Sequence, residues 1–545
     1  MNTRLALIGI TIVILYGAFL GRHGVLQQTE ARYAEVAREM KVSRDFLMPT
    51  LNGVPHVQKP PVTYWLAASS MMLFGENEIG ARAAPLAAGF GVLLLTAWIG
   101  TLWFDRKVGT MALFLLAGSV EFYALSRTLC ADMIMTLWST AAIAAFAYVT
   151  ARIREPRRMH FLPFFVFMGI AFATKGPMGI VVPVCMAAGW QVYSRRHSAP
   201  RLRIPWATGM LITLGLAVGW FVAVAWRYPE LWRYFLKYEL VDRFFSDVHG
   251  RSEPVWYFIP VLLAGWLPWT PLIVPLFRKS DRTSWRGPGG WAVAAWAIAP
   301  FLILSLSGSK LATYVLPLLP AIALWFASRL CGETRSRWLT VGVGIQMGYF
   351  LLLGSGVAFA ILVKGVLPSA TAVDSWFLPV WAVAIGLAVG ACWKMRKGTS
   401  VQRIGLLSVA NLLVFASLSS QIMGLAPAMG SGVSLRPLAE RIMLEPGWEQ
   451  AQIVVAGTRG HGIDFYLRRF VDSNQKYADI ALPLTPELAA RIHPSYQDIR
   501  FATNGTPCFV VAKERILRRG LFPPSQWDVL LQQGSFVLLK RRESS

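Results

Sequence analysis

Residues 82–102, RAAPLAAGFGVLLLTAWIGTL, decide the fold class of this chain. No charged residue interrupts the run from Ala83 to Phe104. At about 1.5 Å rise per residue, a helix of that length covers the roughly 30 Å of a bilayer's hydrocarbon. Asp105, Arg106 and Lys107 then close it. The same texture recurs with cores at 5–20, 108–125, 132–150, 161–173, 177–193, 206–226, 256–277, 290–306, 313–328, 338–363, 376–393 and 404–424. Together these make about thirteen predicted spans. Composition agrees: hydrophobic residues are 55% of the 545 and charged residues 15%, against about 25% charged in soluble domains. The mean hydropathy is +0.48. Secreted, cytosolic and disordered classes are excluded, and the chain reads as a mainly α polytopic membrane protein.

The formal charge of +24 would suggest a nucleic-acid partner in a soluble chain. In a membrane chain it has another source, because Lys and Arg gather in short cytoplasmic loops. Basic clusters stand in every second connection: Arg106 and Lys107; Arg152, Arg154, Arg157 and Arg158; Arg195, Arg196, Arg201 and Arg203; Arg278, Lys279, Arg282 and Arg286; Arg329, Arg335 and Arg337; Lys394, Arg396, Lys397 and Arg403. The alternate loops therefore face outward, and two of them, 21–81 and 227–255, are long enough to carry chemistry. The first span, with no small-residue cleavage pattern after it, reads as a retained signal anchor. Five cysteines without a CxxC pair point to neither a zinc site nor a disulfide framework.

An odd number of spans puts residues 425–545 on the outer side, where the texture changes. QIVVAG (452–457), CFVVAK (508–513) and SFVLLK (535–540) alternate with helical stretches and predict a small soluble α/β domain. The expected division is 1–424 for the membrane part and 425–545 for this domain.

Within the first outer loop, TEARYAEVAREM (29–40) places Tyr33, Val36, Ala37 and Met40 on one helical stripe, with Arg32, Glu35, Arg38 and Glu39 opposite. That pattern predicts an amphipathic helix lying in the interface plane. Thr29 is positioned as its N-cap. Glu30 and Arg32 fall in its first turn, where free N–H groups favour an anion. In HVQKPPVTYW (56–65), Pro60 and Pro61 hold Lys59 at the start of an apolar segment; it can snorkel or bind phosphate as a point charge. Asp132, after Arg127 in RTLCADMIMTLW, is either an exposed helix-end carboxylate or, if drawn inward, a functional candidate. Lys175 adds a cation at the hairpin ATKGPMG, where Gly176 and Pro177 supply the turn. The second long loop, YELVDRFFSDVHGRSEPVWYF, carries Arg243 among acidic and aromatic residues. In SGSKLATYVLPLLP, Lys310 and Tyr314 stand four apart, on one helical face. These cations and carboxylates share one side of the membrane, whereas transporters keep their polar groups near the midplane.

In order, TEARYAEVAREM, QKPPVTYW, ADMIMTLW, TKGP, DRFFSDVHGRSEPVWYFIPVLLAGWLPW and SGSKLATYVLPLLP resemble the GT-C membrane glycosyltransferases of the protein mannosyltransferase superfamily. Among these, the series is most similar to the lipid A aminoarabinose transferases, the ArnT group. The likeness runs from residue 1 to about 425, and such enzymes also carry a C-terminal periplasmic domain. It implies a multi-pass bacterial inner-membrane enzyme that uses an undecaprenyl-phosphate sugar donor and a lipid acceptor such as a lipid A phosphate at the periplasmic face, with no nucleic acid involved. On the same resemblance, Asp132 corresponds to the catalytic-site Asp, with Glu30 the second catalytic candidate. Arg32, Lys59, Arg243 and Lys310 correspond to residues holding the donor phosphate, and Tyr33, Lys175 and Tyr314 line the cavity.

The departures bear on chemistry. The family's first-loop motif begins Asp-Glu, where this chain has Thr29 and Glu30. Gln58 stands in place of the usual Glu, and Leu240 where His is common. A divalent metal is implied by the resemblance, yet these substitutions replace its expected ligands, because Thr caps a helix but supplies no carboxylate. An acceptor that is already anionic needs no strong base, so the expected reaction is direct displacement with inversion. A related polyprenyl-phosphate-sugar transferase with another sugar or acceptor, and a catalytically silent lipid-binding or flippase-like relative, are the alternative readings.

Overall fold

The computed structural model describes residues 3–26, 29–198, 202–233, 253–273, 287–331, 379–384, 400–420, 434–456, 460–473 and 506–542, with a few isolated positions besides. Helix α1 is Thr3–Gly17, α2 Thr29–Ser43, α3 Val62–Phe74, α4 Glu78–Trp103, α5 Arg106–Ala117, α6 Val120–Ser126, α7 Ala131–Arg152, α8 Leu162–Lys175, α9 Met178–Arg196 and α10 Trp206–Arg227. Further helices run Phe258–Gly265, Pro288–Leu306, Leu319–Leu330 and Ser400–Ser420. Among the described residues six helices are long and apolar enough to cross a membrane, or seven if α5 and α6 count as one bent span. The chain is a multi-pass membrane protein. Two of the thirteen expected spans, 338–363 and most of 376–393, lie outside the described residues. Helix α3, apolar but only 13 residues long, was not among the expected segments.

Helix α4 begins where the Asn77 side chain accepts the Gly80 N–H at 2.9 Å, which satisfies one of the four free donors of a helix start. Its C-terminal half packs closely on α5: a Cβ on Gly100 would fall 2.7 Å from Gly109 Cα. Small residues let helix backbones approach in this way where no hydrophobic drive exists between apolar surfaces.

The expected span 108–125 is broken, with α5 and α6 meeting at 72°. Carbonyls left free by such a break must be satisfied internally at membrane depth. Ser408 Oγ donates to Phe114 O at 2.6 Å, Trp269 Nε1 to Leu115 O at 2.7 Å and Asn411 Nδ2 to Gly118 O at 3.1 Å. The Val120 N–H donates to Leu267 O at 2.9 Å. A Cβ on Gly118 would lie 2.8 Å from the Trp269 ring, so glycine is what lets this corner close. The span expected from 313 opens with a 3₁₀ segment, Ala312–Leu318. Pro317 explains it, since it has no N–H for an α-helical bond to Thr313. Trp296 Nε1 binds the Pro317 carbonyl at 2.9 Å.

The first outer loop contains α2, a two-stranded hairpin and α3. Strands β1 (Thr50–Leu51) and β2 (Val54–Pro55) are joined by Asn52 (φ 53°) and Gly53 (φ 76°), the left-handed pair that a two-residue hairpin needs. Glu39 fixes this turn, accepting from Asn52 N at 2.5 Å, Thr50 Oγ1 at 2.6 Å and Gly53 N at 3.0 Å.

The C-terminal segment forms a five-stranded mixed sheet, order β4-β3-β5-β7-β6, from β3 Gln452–Ala456, β4 Asp472–Ser473, β5 Cys508–Lys513, β6 Trp527–Gln533 and β7 Phe536–Arg541. It contains the three strands expected from sequence. Its helix His461–Leu467 seats on the first loop. Tyr466 accepts from Val25 N at 2.6 Å and donates to Glu78 Oε1 at 2.9 Å, and Asn52 exchanges hydrogen bonds with the Val471 backbone at 2.8 and 3.1 Å.

That seating corrects the expectation for α2. Its polar face is not solvated, because Glu35, Arg38 and Glu39 are buried along with Val36 and Ala37. Arg38 binds Glu35 through two nitrogens at 2.6 and 2.8 Å, and Phe465 joins the α2 and α3 apolar cluster.

Candidate active site

Three ionic arrangements decide which of the predicted residues have capacity left for a ligand. The first engages Glu30, the second catalytic candidate. Its carboxylate is 1% exposed and accepts from Arg82 Nε and Nη2, both at 2.8 Å, from Leu26 N at 2.7 Å and from Leu129 N at 3.1 Å. Burial acts to raise its pKa, but the charge and hydrogen bonds of Arg82 and the two backbone donors outweigh that and hold it below its usual value. Arg82 also binds the carbonyls of Leu20, His23 and Gly24 at 2.6, 2.8 and 3.0 Å. Burial, then the Arg82 charge, push His23 down to about 4. Glu30 thus ties α2 to α4 and to the start of α7. The sequence offered Arg82 only as the first residue of a span.

The second arrangement is the pair of Asp132 and Lys175. Cys130 is the N-cap of α7, so Asp132 falls in the first turn, 5% exposed, and its Oδ1 accepts from Lys175 Nζ. Lys175 is the last residue of α8. An anion at a helix N-terminus and a cation at a C-terminus each gain from the helix dipole. Lys175 Nζ also lies 4.6 Å from the centre of the Tyr314 ring, within the range of a cation–π contact. Arg127, five residues before Asp132, turns elsewhere, donating to the Tyr16 carbonyl and lying 4.9 Å over the Tyr123 ring.

The third arrangement concerns Arg32. Unlike Arg38 and Arg82 it makes no ion pair among the described residues, and its buried Nε has no hydrogen-bond partner there. Its guanidinium stands 5.7 Å from the centre of the Tyr33 ring, which in turn lies 5.2 Å from the Tyr64 ring of α3. Burial raises the Tyr33 phenol well above its usual pKa, with the Tyr64 phenol adding and Arg32 opposing. Tyr33 is therefore an O–H donor, within electrostatic reach of Asp132.

The remaining predicted residues divide. Lys310 is buried, with Nζ donating to Ser307 O at 2.6 Å, and makes no ion pair among the described residues. It precedes the 3₁₀ segment that carries Tyr314, so the two do not share an α-helical face as expected. Lys59 is half-buried, just before Pro60, Pro61 and α3. Thr29 opens α2, and positions 27 and 28 before it lie outside the described residues, as do Arg243 and Leu240. The structure brings Asp132, Lys175 and Tyr314 together, and Arg32, Tyr33 and Tyr64 together, with Tyr33 linking the groups. No three His, Cys, Asp or Glu side chains converge among the described residues. Asp132 and Glu30 each already face a cation, so this donor set does not fit a divalent ion.

Residues 6–235 match the family described as dolichyl-phosphate-mannose-protein mannosyltransferase. The chain is 30% identical over 400 residues to the undecaprenyl phosphate-alpha-4-amino-4-deoxy-L-arabinose arabinosyl transferase of Shewanella sediminis, covering 70% of each. With transferase 2 of Sodalis glossinidius it is 30% identical over 398 residues, covering 70% of this chain and 72% of that one. In fold it resembles the crystal structure of ArnT from Cupriavidus metallidurans bound to undecaprenyl phosphate, with TM-score 0.79, 22% identity and coverage of 99% and 98%. The archaeal oligosaccharyltransferase AglB of Archaeoglobus fulgidus follows with TM-score 0.52, 13% identity and coverage of 94% and 69%. The fold is that of a GT-C membrane glycosyltransferase. The chain belongs to the family of undecaprenyl phosphate-aminoarabinose arabinosyl transferases.

Proposed function

We propose that this enzyme moves an aminoarabinose-type sugar from undecaprenyl phosphate to a phosphate of lipid A at the periplasmic face of the bacterial inner membrane. The names of its relatives support the donor. The observation that carries the reading is Arg32, whose buried Nε has no hydrogen-bond partner and which makes no ion pair among the described residues, set against Tyr33, itself packed on Tyr64 and within electrostatic reach of Asp132. Such a cation is suited to an incoming phosphate.

The acceptor phosphate oxygen attacks the anomeric carbon as the bond to the donor phosphate breaks. Undecaprenyl phosphate leaves with the electron pair, and the configuration at that carbon inverts. Arg32, Lys59 and Lys310, with Arg243 from the second loop, hold the leaving phosphate as its charge develops. Asp132 orients the acceptor, and Lys175 fixes the Asp132 carboxylate. The membrane part spans 1–424, with periplasmic loops 21–81 and 227–255, and residues 425–545 form the periplasmic domain that closes over the first loop.

The test is transfer by the full chain in nanodiscs containing lipid A and the polyprenyl-phosphate sugar, read as product mass. Asp132→Asn and Lys59→Ala are expected to lower turnover by at least about a hundredfold and tenfold respectively. Undiminished transfer by both variants overturns the site assignment.

A further inference from the structure

Glu121 enters none of the interactions above. It is the only charged residue between Val108 and Leu125, and it stands at the start of α6, just past the break. Both its carboxylate oxygens are buried, and neither has a hydrogen-bond partner among the described residues. An ionisable group at this depth is costly and is retained where function uses it.

Its surroundings hold it in place without satisfying it. A Cβ on Gly265 would lie 2.1 Å from Glu121 Oε2 and 3.0 Å from its Cβ, so the side chain rests directly on the backbone where the helix Phe258–Gly265 ends. The next residue, Trp266, is 4% exposed, and its indole N–H is likewise without a partner. Two helices therefore end against each other here, joined by the Val120 N–H to Leu267 O bond of 2.9 Å. Broken helices at membrane depth are tolerated where they line a cavity or are buried in protein.

Sorting the charges gives the ligand's chemistry. Among the described residues Glu30 is answered by Arg82 and Asp132 by Lys175. Arg32 and Lys310 make no ion pair there, which leaves their charge for a phosphate. Glu121, within electrostatic reach of Asp132, faces no cation and no hydrogen-bond partner among the described residues, and a phosphate anion is no partner for a second buried carboxyl. A sugar hydroxyl could supply a hydrogen bond alone, whereas an ammonium supplies the hydrogen bond and the charge that stabilises the carboxylate form burial otherwise disfavours.

We propose that Glu121 is the specificity residue that binds a protonated amine on the donor sugar. The assignment rests on the function proposed above and names the side chain that reads the amine of its sugar.

The test measures KM and kcat of the full chain in nanodiscs with two donors, undecaprenyl-phosphate 4-amino-4-deoxy-arabinose and its N-formyl derivative, whose nitrogen carries no charge. Wild type is expected to prefer the free amine. Glu121→Gln is expected to raise KM for that donor by at least about tenfold, with little change in kcat or with the N-formyl donor. Glu121→Asp, which keeps the charge, should retain the preference and serves if the Gln variant does not fold. A Gln variant that keeps the preference overturns the proposal. So does one that lowers kcat equally with both donors, or an Asp variant that loses the preference. Wild type that transfers neither donor refutes the proposed function itself, an outcome visible without any variant.

Discussion

Replacing Arg82 by Met would leave the Glu30 carboxylate 1% exposed with two backbone N–H groups in place of its four hydrogen bonds. Removing one partner of a buried ion pair destabilises by about 3–5 kcal/mol, because the survivor is a buried, uncompensated charge. Arg82 also closes the loop before α2 through three carbonyls, so the upper end of that range applies. The shift is about 2–4 °C per kcal/mol for 150–250 residues and roughly 1–2 °C at this chain's length, because the unfolding entropy grows with size, so the melting temperature should fall by at least about 5 °C in a micelle measured at fixed scan rate. The double variant Arg82→Met with Glu30→Gln leaves no buried charge and should recover at least about half of the loss. Glu30→Gln alone should lower both stability and transfer, in step. The reasoning is refuted if Glu30→Gln melts like wild type yet loses transfer by more than about a hundredfold, since that is the signature of a group acting in the reaction rather than in the scaffold.

Arg32→Ala should weaken retention of undecaprenyl phosphate by about 10–100-fold, the equivalent of about 1.5–3 kcal/mol for a charge-assisted hydrogen bond, measured as lipid binding in nanodiscs. Lys175→Met should reduce kcat more than the donor KM, because it frees the Asp132 carboxylate to swing; a change in donor KM alone counts against the pairing as a positioning device. Burial, then the Glu35 charge, push Glu39 up to about 8. The folded state therefore holds a proton that the unfolded state releases near 4.5, and stability contributed by Glu39 is full below about 4.5 and lost as pH rises to about 8. Melting temperature should fall across that window in wild type and less steeply in Glu39→Gln.

Much of this architecture is legible in residue patterns, and what escaped has physical causes. Segment 82–102 is readable because the charge-free run that starts at Ala83 has few other places to go. Periodicity showed that α2 was amphipathic, but it reports polarity and not what covers the polar face. Only the contact with the helix His461–Leu467 reveals that Glu35, Arg38 and Glu39 are interior. Lys310 and Tyr314 were placed on one α-helical face by spacing, an inference undone by Pro317. Asp132 and Lys175 were each visible as helix-end charges, while their partnership depends on α7 and α8 standing side by side. Glu121 left a signal that the hydropathy count passed over, a lone carboxylate in the middle of an apolar run, which in a membrane is itself a reason to look.

The central claim is tested most directly by mass spectra of lipid A from a strain lacking its own aminoarabinose transferase, with and without this chain expressed. The proposed function requires an aminopentose mass added to lipid A phosphate when the chain is present and absent when Asp132→Asn replaces it. Unmodified lipid A at wild-type expression, with the mass addition on some other membrane component or on none, would contradict it.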